Sequence, residues 1–195
     1  MTTTAKRIET LIVPEPGFTS ATAALKLAEI ADIHRKLERA ARELSPEALA
    51  WQPTPGVNTI GMLLAHIAIN EVHLGQVGLR AERDGHVADV IHIGPEDDGM
   101  PIEDFGGRPP QALDGKPAAF FLDLLARALT HTRDAARPVG ETLLGEEVVR
   151  PPRPDGSVRV FDRRWVLHHM VEHAAQHLGQ IHVLKRQWKA AQTSG

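Results

Sequence analysis

Four long segments in which apolar residues recur at helical spacing limit most strongly how this chain can fold. The segments span about residues 19–43, 59–83, 117–136 and 162–191. In the first of them Ala23, Leu27 and Ile30 share one face, because residues three and four positions apart lie on the same side of a helix. Four helices that each carry an apolar face pack together as a bundle. The sequence therefore predicts an all-α protein, a four-helix bundle.

The connections between these helices have their own predicted character. The first 18 residues are expected to be irregular, since two prolines and Gly17 close the segment. Residues 85–116 hold much of the Gly and Pro of the chain and predict a long loop, of a length that is unusual in a compact domain and often functional. The loop contains an acidic patch, Glu96, Asp97 and Asp98, and we interpret the acidic segment at residues 94–104 as solvated, with a substrate contact as the alternative.

A short β-hairpin is predicted before the last helix. Residues 146–150 and 157–160 are rich in Val, and they flank a turn sequence, Pro154-Asp155-Gly156. The hairpin adds two short strands to the all-α domain, and residues 1–195 are expected to form a single domain.

The composition limits the class of protein and the chemistry that is available. The chain has 195 residues and a net charge of −3, without the basic excess that is typical of nucleic-acid-binding domains. It has no Cys, so disulfides, a Cys nucleophile and a protein thiolate ligand are excluded. We find neither a signal peptide nor an apolar run long enough for a membrane span, and we expect a cytoplasmic protein.

The 11 histidines of the chain include three on one face of the last helix. His169, His173 and His177 are spaced four apart, so neighbouring members of the series lie about 6 Å apart along the helix axis. Two such imidazoles can bind one metal ion. The outer two lie about 12 Å apart along the axis, which is too far for a shared ion. One adjacent pair is therefore predicted to bind a metal, and either pair includes His173.

A third candidate ligand, His66, lies in an apolar segment of the second predicted helix. A buried imidazole needs a partner, because burying a bare polar group costs free energy. Two helices that face each other across a bundle are a recurring way to build a metal site. Three His ligands with an open position are also the ligand count of catalytic zinc sites. His66 together with a pair on the last helix thus predicts a site for one divalent transition metal, and zinc, nickel, copper and iron all suit three imidazoles.

The remaining polar residues near these positions have weaker interpretations. Glu71 and Glu172 either accept a hydrogen bond from a ligand imidazole or are solvated helix charges. His34 and His131 are interpreted as structural, and His73 as continuing the face of His66 toward solvent. The three tryptophans are expected to be packing residues.

Two motifs resemble those of the DinB/YfiT-like family. Residues 58–66, Asn-Thr-Ile-Gly-Met-Leu-Leu-Ala-His, followed by Glu71, are similar to the second helix of that family. Residues 172–181, Glu-His-Ala-Ala-Gln-His-Leu-Gly-Gln-Ile, are similar to its fourth-helix motif, in which a His-x-x-x-His pair precedes Gly-Gln. The resemblance extends over about residues 20–190.

The resemblance implies an up-up-down-down four-helix bundle that often forms a homodimer. It implies a metal ion, usually zinc or nickel, on His66, His173 and His177, whereas His169 precedes the motif. Apolar residues such as Leu25, Val77 and Leu79 are candidates for either the core or the dimer interface.

The resemblance also implies metal-dependent transfer or isomerisation reactions that use a low-molecular-weight thiol. The leading hypothesis is a metal-dependent transferase with a small-molecule substrate, in which the sulfur comes from a cofactor thiol. The alternatives are a metal-dependent hydrolase, a non-catalytic metal-binding or stress-response module, and a structural or empty site. No nucleic acid or membrane partner is expected.

Overall fold

The computed structural model describes residues 11–82, 84–102 and 106–193, and four long helices dominate it. These are α1 (Ala21–Ala41), α3 (Ile60–Leu74), α5 (Ala118–Ala136) and α7 (Arg163–Thr193). Three short helices lie in the connections: α2 (Pro46–Ala50), α4 (Ala88–Ile91) and α6 (Glu141–Leu144). The prediction of an all-α four-helix bundle is confirmed.

The predicted hairpin before the last helix is also present. Strand β1 (Glu147–Val149) pairs antiparallel with strand β2 (Val160–Asp162), with Val149 opposite Val160. The pairing continues past the strands, since the amide of Arg150 donates to the carbonyl oxygen of Arg159 at 2.9 Å. The hairpin leads directly into α7.

Side-chain caps fix where three of the helices begin. Ser20 accepts from the amide of Ala23 at the start of α1, and Thr59 accepts from the amide of Met62 at the start of α3. Ser45 does the same for α2, with a proline at the first helical position. Each hydroxyl satisfies an amide that has no partner inside its own helix.

The bundle has an up-down-down-up topology, so the expected up-up-down-down order is wrong. The start of α1 meets the end of α5, where the amide of Thr19 donates to the carbonyl oxygen of Arg137 at 3.0 Å. The start of α3 lies against the start of α5, because a Cβ on Gly61 would come within 2.8 Å of the Phe121 ring. The short connection through α2 reverses the chain between α1 and α3, whereas the long connection carries it back along the bundle, leaving α3 and α5 parallel.

The last helix runs antiparallel to α3 and parallel to α1. A Cβ on Gly78, just beyond α3, would come within 2.7 Å of Val166 near the start of α7. At the other end of α7, the Lys185 ammonium donates to the carbonyl oxygen of Ala40 near the end of α1. Each long helix therefore packs against two others, and α3 and α7 are neighbours.

The second long helix changes form before it ends. Its α-helical part stops at Leu74, and a π-helical turn follows over Gly75–Leu79, with the amide of Arg80 donating to the carbonyl oxygen of Gly75 at 3.1 Å. Such turns are rare and often lie near functional sites. The sequence pattern predicted one continuous helix to residue 83, which lies outside the described residues.

The core extends along the bundle, and α3 lies at its centre. Leu63, Leu64 and Ile67 of α3 are almost completely inaccessible to solvent, as is Phe121 of α5. Among the apolar residues considered for an interface, Leu79 is 3% exposed and belongs to the core, whereas Leu25 is 42% exposed. None of the described helices is both long and apolar enough to cross a membrane.

The long connection between α3 and α5 is more ordered than a plain loop. Its described residues include α4 and the short 3₁₀ turns Pro95–Asp97 and Gln111–Leu113. Its residues Ile91 and Ile93 are buried in the core, which ties the connection to the bundle. Residues 11–18 form neither helix nor strand, in line with the expected irregular segment, and the first ten residues lie outside the described part of the chain.

Candidate metal centre

Three imidazoles from two helices converge at the interface between α3 and α7. The Nε2 atom of His173 lies 3.0 Å from Nε2 of His66 and 3.0 Å from Nε2 of His177. The ligand atoms of all three histidines lie within 4.8 Å of one another. Among the described residues, this is the group of His and acidic side chains that can hold a metal ion. The structure thus brings together the three residues expected to be ligands.

Helix geometry explains this convergence. His173 and His177 are four residues apart on α7, so their rings project from the same face. His66 reaches them from α3 because α3 and α7 are antiparallel neighbours. All three side chains are partly buried, in a bundle interior that keeps their rings close together.

Two of the three imidazoles have their second nitrogen held by an acceptor. The Nδ1 atom of His66 donates to Oδ1 of Asp98 at 2.8 Å, and Oδ2 of the same carboxylate lies at 3.0 Å. The Nδ1 atom of His177 donates to Oε1 of Gln180 at 2.7 Å. In a neutral imidazole a proton on Nδ1 leaves a lone pair on Nε2. His66 and His177 therefore both present a lone pair toward His173.

The environment of His173 and His177 lowers the pKa of both imidazoles and favours their neutral form. Burial, and then the neighbouring His177, His66 and His169, lower the pKa of His173 to about 3. Burial also lowers the pKa of His177, and the hydrogen bond to Gln180 opposes this effect. A neutral imidazole is the form that ligates a metal. A neutral His173 with its proton on Nδ1 would add a third Nε2 lone pair to those of His66 and His177, and three imidazole nitrogens fit a late divalent ion such as zinc.

The other candidate on α7, His169, has a different environment. Its ring stacks on Trp165, with the centroids 4.6 Å apart and the planes within 10°. Its centroid is 5.4 Å from that of His173, and it is not part of the converging group. Of the two pairs that the spacing allowed, His173 and His177 are the one that faces His66.

Neither glutamate near the motifs contacts a ligand imidazole. Glu71 is buried and its Oε2 accepts from Nε2 of His34 at 2.7 Å, so both sequence-based interpretations of Glu71, as a partner of a ligand and as a solvated charge, are wrong. Glu172 is exposed and accepts from Gln176 at 3.1 Å, which agrees with a solvated helix charge.

The acceptor that the sequence pattern did not reveal is Asp98. It belongs to the acidic patch that was interpreted as solvated, yet its side chain is only 15% exposed and contacts His66. The two residues are 32 positions apart, and no periodicity links a loop residue to a helix. The only available signal was an acidic run in a connection that is too long to be a simple turn.

His34 and His131 have structural environments, as expected. His34 forms the buried pair with Glu71, and His131 is buried beside Gly75, where a Cβ would come within 2.9 Å of its ring. The expectation that His73 faces solvent is wrong in part, because His73 is half-buried beside the hairpin. Burial and Arg150 lower the pKa of His73.

The tryptophans form two separate groups. Trp51 packs against Trp188, with ring centroids 5.6 Å apart, which is a packing role as expected. Trp165 instead lies between the ring of His169 and the guanidinium of Arg159, the latter 4.6 Å from its centroid. Trp165 thus connects the hairpin to the helix that carries two of the converging histidines.

Comparisons with known proteins agree with this architecture. A model of the DinB superfamily matches residues 29–181, which is well over half of the chain. The fold is similar to the crystal structure of a conserved protein from Enterococcus faecalis, with a TM-score of 0.63 at 17% sequence identity. That similarity covers 86% of this chain and 96% of the other. No curated protein sequence matches the chain. The match to the family model, over a segment that includes all three converging histidines, shows that the chain belongs to the DinB superfamily.

Proposed function

We propose that His66, His173 and His177 bind one divalent transition metal, zinc or nickel, and that the protein is a metal-dependent transferase of low-molecular-weight thiols. The observation that carries this proposal is the convergence of three Nε2 atoms, two of which belong to rings whose Nδ1 atoms are already held by Asp98 and Gln180. Hydrogen bonds of this kind orient ligand imidazoles in metalloproteins and fix their tautomer.

The ligand count supports a catalytic role over a structural one. Structural zinc sites have four protein ligands, whereas catalytic sites have three and an open position. In the described part of the chain, the group contains three histidines and no carboxylate. The chemistry that a bound divalent ion supplies at such a position is a lowered pKa of a thiol or water molecule.

The surroundings favour thiol transfer over hydrolysis. Hydrolysis benefits from a free general base near the water, but Asp98, the carboxylate that contacts this centre, is engaged with His66. A thiol needs less help, because its ordinary pKa is only about 8.5. The chain has no Cys, so the sulfur comes from a small molecule. In the transfer, the thiol proton is released to solvent, sulfur forms a bond to an electrophilic carbon, and the leaving group departs with the electrons of the broken bond.

Cobalt-substituted protein tests the proposal. We expect stoichiometric cobalt in the wild type and a sulfur-to-cobalt charge-transfer band when a small thiol is added. His66→Ala, His173→Ala and His177→Ala should each lose most of the metal. The matched control is His168→Ala, an exposed histidine on the same helix, which should keep it. A spectrum that stays unchanged at millimolar thiol while cobalt remains bound would contradict the transferase and favour a non-catalytic metal-binding module.

A further inference from the structure

A basic cleft lies beside the three converging histidines, between α3, the hairpin and the start of α7. It has a volume of about 350 Å³. Its polar lining includes Asn70, His169 and three arginines of the hairpin region, Arg150, Arg153 and Arg159. No Asp or Glu of the described residues lines it. A concentration of arginines is unexpected in a chain whose net charge is −3.

The cleft begins one helical turn from the three converging histidines on both helices. Asn70 follows His66 by four residues on α3, and His169 precedes His173 by four residues on α7. Because the two helices are antiparallel, these steps lead in the same direction along the bundle, about 6 Å from the ligands. A molecule that reaches the histidines from the cleft therefore has its far end among the arginines.

Among the described residues, these three arginines have no partner of opposite charge. Within residues 11–82, 84–102 and 106–193, no carboxylate forms an ion pair with Arg150, Arg153 or Arg159. Arg150 and Arg159 are cross-strand neighbours, as the backbone hydrogen bond between them indicates. Like charges in that relationship destabilise a sheet. An anion between them removes the repulsion.

Two further features fit a ligand in the cleft. Arg159 lies over the ring of Trp165, which restrains the guanidinium by its face and leaves the N–H donors in its plane available. The Oδ1 atom of Asn70 is buried and has no hydrogen-bond partner among the described residues. Buried polar atoms are usually satisfied, so this oxygen fits a ligand that brings an N–H or O–H donor.

We propose that this cleft binds an oxyanion, a carboxylate or a phosphate, of the substrate whose reacting atom lies at the metal centre. Arg150 and Arg159 bind the anionic group, and Asn70 accepts a hydrogen bond from a donor nearer the histidines. The proposal rests on the function proposed above and defines its substrate class as small anionic molecules with a reactive centre about 6 Å or more from the charge. Guanidinium groups suit carboxylate and phosphate because they donate two parallel hydrogen bonds.

Calorimetric titration of the full-length protein tests anion binding separately from the metal. The probes are succinate, inorganic phosphate and the neutral analogue succinamide, at low ionic strength. We expect one of the two anions to bind and succinamide not to bind, and the stronger anion identifies the group. Arg150→Gln and Arg159→Gln should each weaken that binding about tenfold. Arg186→Gln, an exposed arginine on α7 outside the cleft, should change it less than twofold.

The connection to the metal is tested with cobalt-substituted protein and two thiols. 6-Mercaptohexanoate, whose carboxylate is far enough from the sulfur to reach the arginines, should give its charge-transfer band at a concentration about tenfold lower than 6-mercapto-1-hexanol, its neutral match. Arg159→Gln should abolish this difference, whereas Arg186→Gln should preserve it. The inference is overturned if neither anion binds at millimolar concentration, or if Arg186→Gln weakens binding as much as the hairpin variants. Arginine-dependent anion binding in a protein that fails the metal and thiol test would instead refute the proposed function alone.

Discussion

The Nδ1 atom of His66 donates to the carboxylate of Asp98 at 2.8 Å, which connects the central helix of the bundle to the long connection between α3 and α5. The proton of His66 is thereby fixed on the nitrogen that faces away from His173. Asp98 acts on the centre through this bond, which makes it a positioning residue.

Removal of this bond should weaken metal binding. We expect Asp98→Ala to reduce the affinity for zinc about 10- to 100-fold, because His66 loses the acceptor that orients its ring. Competition with a chromophoric chelator measures the change. Glu96→Gln removes an exposed charge from the same acidic patch and should have little effect. Equal losses in the two variants would mean that Asp98 acts only through its charge.

Acidity should destabilise the metal-free protein through His173. Its pKa is lowered to about 3 in the folded chain, whereas the ordinary value of 6.5 applies to the unfolded chain. As the pH falls through 6.5, the unfolded state gains a proton that the folded state does not bind, so the free energy of unfolding decreases between pH 6.5 and 3. Urea titrations of metal-free protein should show this decrease, and it should be smaller in His173→Ala. His168→Ala should keep the slope of the wild type.

The buried pair of His34 and Glu71 should be important for stability. Their side chains are 7% and 4% exposed, and Nε2 of His34 lies 2.7 Å from Oε2 of Glu71. His34→Leu leaves a buried carboxylate without its donor and should lower the free energy of unfolding by about 3–5 kcal/mol. The double variant His34→Leu with Glu71→Leu removes both polar groups and should be more stable than His34→Leu alone. Chemical denaturation measures both, and a double variant that is less stable still would contradict this account.

Two glycines of long helical segments should respond in opposite ways to alanine. A Cβ on Gly78 would lie 2.7 Å from Val166, a branched side chain that cannot easily turn away. Gly78→Ala should therefore destabilise the fold by about 1–3 kcal/mol. Gly179 lies in α7, where a Cβ would meet no atom within 4 Å, and Gly179→Ala should stabilise by about 0.5–1 kcal/mol. Thermal unfolding of both variants checks the difference in sign.

We expect the protein to form a homodimer, since closed pairs are the commonest assemblies of identical chains. Leu25 and Val183, which are 42% and 43% exposed, are apolar residues of α1 and α7 that such an interface can cover. Light scattering at micromolar concentration should give twice the 21.3 kDa mass of one chain. A mass of one chain would refute the dimer.

Local patterns predicted the parts of the structure that depend on nearby residues. The four helices and the shared face of His173 and His177 follow from spacings of three or four residues. The hairpin follows in the same way from two β-prone runs and a turn. For His66, the apolar surroundings indicated that the imidazole needed a partner, and the family motif indicated which pair of histidines it meets.

The features that depend on long-range packing were not predictable in this way. The direction of each helix depends on where the connections cross the bundle. The proximity of Gly61 to Phe121 shows that α3 and α5 are parallel, which differs from the expected up-up-down-down topology. Asp98 reaches His66 from a connection whose residues Ile91 and Ile93 are buried in the core. In the sequence, Glu71 has the same helical spacing as a glutamate on the protein surface. Its burial is explained by its contact with His34 of α1, which the spacing does not reveal.

The separation of His66 and His173 in the chain, 107 residues, has a consequence for folding itself. A metal ion held by both residues would act as a reversible cross-link in a protein that has no disulfide. Closing a loop of about 100 residues with a covalent bond reduces the entropy of the unfolded chain by an amount worth about 4–5 kcal/mol. The ion can contribute in the same way only for as long as the unfolded chain retains it. A bound metal ion would then limit how far the segments that carry His66 and His173 can separate when the folded bundle opens transiently.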